Sequence, residues 1–279
     1  MITEHQTMAE NGEQQIEETP EAPAAAPNPA PETPSRRSRT AVIARYLLVI
    51  GIALIILSPL TYRTGILDLG IALPMFPAGV VASLLAILVG LAGIITTRNA
   101  AGRGKAMTAF VGGLIVVGII GITFAPMAMN GAPAIHDITT DTKDAPVFVA
   151  LRAARDAAPN ETEYVGGEIA AAQLAAFPEL QTKIMDQPGN SIFAAAENVA
   201  AGMGWDIAAS VPAEGRIEAT ATTRIYGYKD DVVIRIRPTM EGTTEIDVRS
   251  ASRVGLGDLG ANAARISAFL AALDDALQE

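Results

Sequence analysis

Three apolar runs, near residues 41–60, 74–95 and 107–127, follow one another with only short polar breaks, and each is close to the ~20 residues a helix needs to cross ~30 Å of hydrocarbon. Such a chain has to fold in two solvents, with three transmembrane helices near its N-terminus and the rest in water. Composition agrees: 50 % of the residues are hydrophobic and only 18 % charged, and the apolar excess is concentrated in these runs. Arg45 is the only charged side chain inside them, close enough to the start of the first to snorkel to the headgroups, so no proton relay or ion path is expected. Small residues recur at helical spacing, at Ala78, Ala82, Ala86 and Gly90 and again at Ala109 with Gly113 and Gly121 with Ala125. These stripes are expected to pack the helices together or against a second copy.

Residues 1–35 carry seven Glu and six Pro and no Lys or Arg, so the segment 1–40 reads as a disordered acidic Pro/Ala-rich tail. A basic start followed at once by an apolar core is missing, and the first helix is expected to be an uncleaved anchor. Arg36, Arg37 and Arg39 precede span one, and Arg98, Arg103 and Lys105 lie between spans two and three. Both flanks are expected in the cytoplasm, with the C-terminal domain on the opposite side, in the periplasm of a bacterial inner membrane. The formal net charge of −10 argues against a nucleic-acid partner, because phosphate contacts need clustered Lys and Arg. Cysteine is absent, which removes disulfides and thiolate chemistry.

The organisation is then a tail over 1–40, three transmembrane helices over 41–130, and a soluble α+β domain over 135–279. In that domain helices are expected near 148–157, 167–177 and 191–203, with Ser191 as an N-cap and Gly204 as the stop. Four alternating stretches follow, 205–211, 216–224, 231–237 and 243–253, joined by short turns. They imply a four-stranded antiparallel sheet, closed by a last helix over 259–277. Ile207, Ile217, Ala219, Val232, Ile234, Ile236, Ile246 and Val248 would face the helices. Glu218, Thr220, Thr222, Arg235, Arg237, Glu245, Asp247, Arg249 and Arg253 would face the other way, where cross-strand ion pairs or an anion pocket would account for them.

Gly255, Gly257 and Gly260 spell G-x-G-x-x-G between a strand and a helix. No parallel strand follows, so the stretch reads as a turn capped by Asp258 rather than a dinucleotide site, and no cofactor is expected. The candidate ligand-binding set lies around it: Arg249, Ser250, Ser252, Arg253, Asp258, Asn262 and Arg265, which could present guanidiniums and helix amides to an anion. Asp230 with Asp231 reads as turn chemistry more readily than as a metal site, and His136, Asp137 and Asp141 lack a second histidine nearby, so no metal is expected. Ser250 and Ser252 have no usable histidine base.

Two stretches carry a family resemblance: Ile135-His136-Asp137-Ile138-Thr139-Thr140-Asp141, and Asp247-Val248-Arg249-Ser250-Ala251-Ser252-Arg253-Val254-Gly255-Leu256-Gly257-Asp258-Leu259-Gly260-Ala261-Asn262-Ala263-Ala264-Arg265-Ile266. Phe177-Pro178-Glu179, Ile217-Glu218-Ala219-Thr220-Ala221-Thr222 and Lys229-Asp230-Asp231-Val232 fit the same pattern. From Ile135 onward the chain resembles the bacterial domain-of-unknown-function family fourteen ninety-nine. The resemblance implies membrane association and brings no reaction or catalytic residues; Glu179 stands where the family tends to place Asp. The expected function is a membrane-anchored extracytoplasmic binding or scaffolding module of the cell envelope, with a protein partner or second copy. The alternative is an envelope enzyme or receptor acting on an anionic ligand.

Overall fold

A computed structural model of the chain describes residues 38–97, 100–129 and 131–278. The acidic tail falls almost wholly on residues 1–37, outside the described residues, as do Arg36, Arg37 and Arg98. Three helices, α1 (Arg39–Arg63), α2 (Leu69–Thr96) and α3 (Ala100–Met129), contain the apolar runs and are long and apolar enough to cross a membrane. Ser38 begins α1 by accepting the Ala41 amide, and its hydroxyl lies 2.8 Å from that of Thr97, which brings the start of α1 to the end of α2. Span two begins earlier than expected: α2 runs through Pro74 and Pro77 from an Asp68 N-cap.

Small residues set the spacing of the bundle. A Cβ on Gly79 would lie 2.7 Å from the Gly51 carbonyl oxygen, and one on Gly90 would lie 2.9 Å from the Phe110 nitrogen. Ala82, Ala86 and Gly90 of the expected stripe, with Ala109 and Gly113, are buried between the three helices, while Ala78, Gly121 and Ala125 are exposed.

A short linker leads to the C-terminal domain, whose elements are β1 (Asp137–Thr139), α4 (Arg152–Asp156), α5 (Glu168–Ala176), β2 (Lys183–Met185), α6 (Gly189–Gly202), β3 (Asp206–Val211), β4 (Arg216–Thr222), β5 (Lys229–Pro238), β6 (Thr244–Ser252) and α7 (Ala261–Ala276). The meander β3-β4-β5-β6 is antiparallel, as the alternation and short turns implied. The sheet nevertheless has six strands rather than four, because β1 and β2 both pair with β6 in the order β1-β6-β5-β4-β3. Strands of three residues are too short to display a period of two, which is why hydropathy alone missed them. Gln173 on α5 closes the outer edge of β1, accepting the Thr139 amide at 3.1 Å and donating to its carbonyl at 2.6 Å. A side-chain amide thus takes the place of a further strand.

The expected inward set is the apolar core. Ile217, Ala219, Val232, Ile234, Ile236, Ile246 and Val248 are buried under α6 and α7, with Ile207 packed at the margin. Trp205 stacks on Phe269 at 5.4 Å between ring centres. Gly204 ends α6 in a left-handed conformation (φ 76°), but the N-cap position is Pro188 rather than Ser191. Gly215 permits the β3–β4 connection: at φ 62° a Cβ there would stand 2.0 Å from the Ile236 carbonyl oxygen.

Candidate functional site

The polar face of the sheet is buried as well. The segment following β1 lies across it, and Phe148 and Leu151 pack on Val233 and Ala251 in a second, smaller apolar cluster. Beside that cluster the face is ionic. Each arginine it receives, on the sheet or from the covering segment, meets a carboxylate.

Asp231 lies between two of them. It accepts from Arg155 Nη1 at 3.2 Å and from Arg253 Nε and Nη2 at 2.8 Å, while its other neighbour Thr220 donates at 2.8 Å. Arg155 is fully buried; burial pulls its pKa down, opposed by Asp231 and Asp137. The hydrogen bond to Asp231 draws the Arg253 pKa upward.

Arg249 forms a bidentate pair with Asp137 at 2.7 and 2.9 Å and donates to the carbonyls of Pro146 and Thr162. Its guanidinium lies between the rings of Phe148 (4.8 Å) and Tyr164 (5.6 Å). Glu218, also buried, accepts the amides of Val149, Ala150 and Leu151 at 2.9–3.0 Å and a bond from Arg216. Asp247 takes Arg235, Arg237, Thr140 and Thr182.

Burial works against the Asp141 carboxylate, but the amides of Asp144 and Lys143 and the guanidiniums of Arg235 and Arg237 outweigh it and hold its pKa below the usual carboxylate range. A 160 Å³ cleft opens where residues 144–147 meet β4 and β5. The two guanidiniums lining it are committed, Arg216 to Glu214 and Glu218 and Arg235 to Asp144 and Asp247.

The candidate ligand set divides between the two faces, as strand alternation requires. Arg249 and Arg253 belong to the ionic face. Ser250, Ser252, Asn262 and Arg265 meet on the helix-covered face, where Ser250 donates to Asn262 Oδ1 at 2.7 Å, Asn262 Nδ2 donates to Ser252 at 3.0 Å, and Arg265 reaches Asp230 at 2.6 Å. Asp258 occupies the helix-start amides itself, accepting from Gly260 at 2.8 Å and Asn262 at 2.6 Å. Its pKa is raised, chiefly by burial.

Asp230 and Asp231 are buried strand residues facing opposite ways, not turn residues. Arg155, Gln173 and the Glu218 amide nest had no sequence signal, because each depends on long-range partners. His136, outside these clusters, approaches Glu161 at 3.8 Å.

The hydroxyl of Tyr164 is buried and meets no hydrogen-bond partner among the described residues, and burial pushes its pKa up to about 12. Tyr164→Phe keeps the ring against Arg249 and removes the unsatisfied group. The expected result is an unchanged or higher urea midpoint, by up to about 1 kcal/mol, and less loss of stability above pH 10. The sign follows from linkage: a raised tyrosine pKa favours folding below its ordinary value near 10, and that contribution is lost as pH rises through the folded value. A lower midpoint for the variant would mean that the hydroxyl has a partner in solution.

Residues 137–273 match the model of a family described as protein of unknown function (DUF1499), beginning at the first residue of β1 and ending within α7. The C-terminal domain belongs to this family. Comparison with curated proteins finds no match to the chain. The DUF1499 match covers the whole sheet, α6 and most of α7, so the ionic face and the turn before α7 lie inside the matched residues and the three long apolar helices lie outside them.

Proposed function

We propose that the chain is a membrane-anchored module of the bacterial cell envelope, with its DUF1499 domain on the extracytoplasmic face of the inner membrane as a binding or scaffolding unit. The observation that carries the reading is the seat of the domain on its own anchor. Tyr226, in the β4–β5 turn, shares a 2.8 Å hydrogen bond with Ser58 of α1, and Arg63 at the end of α1 donates to the Arg224 carbonyl at 2.8 Å. Tyr62, Tyr226 and Tyr228 cluster there, with the last two stacked at 4.9 Å. Tyrosine pairs one apolar and one polar end, which suits the headgroup boundary.

Orientation is supported by the basic residues: Arg39, Arg103 and Lys105 lie at the start of α1 and in the first turns of α3, the ends away from the domain. Paired guanidiniums across the ionic face speak for a structural use of charge, and thus for binding through the outer surface rather than turnover of an anion. Small residues left on the outside of the helices, Ala78, Gly121 and Ala125, would serve a second copy.

A cysteine-free chain makes the orientation directly testable. Met240→Cys, at the fully exposed β5–β6 turn, is expected to react with a membrane-impermeant maleimide on intact spheroplasts. Labelling only after lysis would place the domain in the cytoplasm and overturn the proposal.

A further inference from the structure

The end of the sheet that rests on α1 carries a second turn, 253–260, on which Leu256 stands almost fully exposed. Strands β4, β5 and β6 bring Thr222, Lys229 and Ser252 to one end, since Thr222 pairs with Lys229 and Asp230 with Ser252. From that end leave both the 223–228 turn, seated on α1, and the glycine-rich 253–260 turn before α7. The linker from α3 passes beside the latter: a Cβ on Gly257 would lie 3.0 Å from Ala134 Cα, and the Asp258 amide donates to the Ile135 carbonyl. Only four residues lie between Met129 of α3 and Ala134, a reach of at most about 17 Å over the five Cα-to-Cα steps.

On this tethered end Leu256 is 89 % exposed, Ile225 55 % and Ile66, in the α1–α2 turn, 71 %. Met240, at the opposite end of the sheet, is also bare but stands beyond any such tether. The 253–260 turn is built rather than loose. Asn160 donates to the Ser252 and Gly255 carbonyls, and Asp258 holds Gly260 and Asn262.

We propose that the 253–260 turn of the domain is a lipid-contacting element, with Leu256, and Ile225 of the 223–228 turn at the same end, inserted at the headgroup–acyl boundary of the bilayer that α1–α3 span. The occupant follows from continuity: the same end is seated on α1, and Arg63, Arg224 and Lys229 lie in or against its 223–228 turn, where cationic side chains would meet lipid phosphates. In this turn the amides at the start of α7 are taken by Asp258, and Leu256 is left at its tip. This inference rests on the spans being in the bilayer, as in the reading above.

The test uses the full chain in lipid nanodiscs, with a nitroxide on single cysteines at Leu256, Ile225, Met240 and Leu88. Leu88 is 63 % exposed on α2 and reports the span itself. Collisions with oxygen and with a water-soluble nickel chelate are measured at each site. Labels at Leu256 and Ile225 are expected to resemble Leu88, with oxygen access high and chelate access lost, while Met240 shows the reverse. Chelate access at Leu256 equal to that at Met240, with Leu88 protected, overturns the lipid-contacting turn and leaves the anchor standing. Chelate access at Leu88 as well would sink the anchor reading itself. Exclusion of both reagents at Leu256 with dipolar broadening between labels would mean that a second copy covers the turn, and would also overturn it.

Discussion

Asp231→Asn is expected to lower the stability of the DUF1499 domain by about 3–5 kcal/mol, the range seen when one partner is removed from a buried ion pair. The asparagine keeps the volume and a carbonyl, but leaves Arg155, which is fully buried, and Arg253 without their shared negative charge. Against a typical total of about 5–15 kcal/mol this is a large fraction. Trp205, the only tryptophan, is buried against Phe269 and reports the loss by fluorescence in a urea titration of the full chain in detergent. Asp230→Asn, next in sequence, reaches Arg265 on the opposite face, and that guanidinium is partly exposed, so a smaller effect is expected. Equal effects would mean that the two faces are not separate environments.

Arg249→Ala comes second, again at about 3–5 kcal/mol, because it strands Asp137 and releases the Pro146 and Thr162 carbonyls together with the Phe148 and Tyr164 rings. Arg249→Lys should recover little, since a single ammonium cannot make the paired contacts or fill the space between two rings. The double variant Asp137→Leu with Arg249→Met removes both charges and should be more stable than the sum of its single changes, by about 0.5–3 kcal/mol of coupling. If Arg249→Ala instead left the urea midpoint unchanged while abolishing binding to a native partner, the arginine would be a ligand residue and the structural account would fail.

The alternation of β3 to β6 was legible because one face of each strand carries aliphatic residues, and the antiparallel meander and the core followed from it, whereas the irregularity between Ile207 and Ala209 did not. The same period of two already separates Arg249 and Arg253 from Ser250 and Ser252, so a single anion site built from all of them was inconsistent with their placement on one strand. That the polar face would carry cross-strand ion pairs was legible, but the partners brought by the covering segment were not. Glu218 reads as an outward charge on an amphipathic strand, and only the fold brings three amides from 67 to 69 residues upstream to meet it. Arg155 sits in a short helix next to exposed Arg152, and nothing local distinguishes the buried arginine from the solvated one. Asp258 was legible as a cap, because a carboxylate just before a helix has its partners nearby in sequence.

The amides of Val149, Ala150 and Leu151 are held by a carboxylate rather than by a helix or a strand. Their exchange with deuterated solvent therefore times one event, the lifting of the covering segment from the sheet, separately from the opening of the apolar layer beneath α6 and α7. Those two layers also differ in balance, since the covering one sets buried ion pairs beside a small apolar cluster: cooling weakens apolar burial, whereas heating reduces the cost of desolvating charges. A domain built with one of each has a lid whose opening can be followed on its own clock while the layer under the helices stays shut.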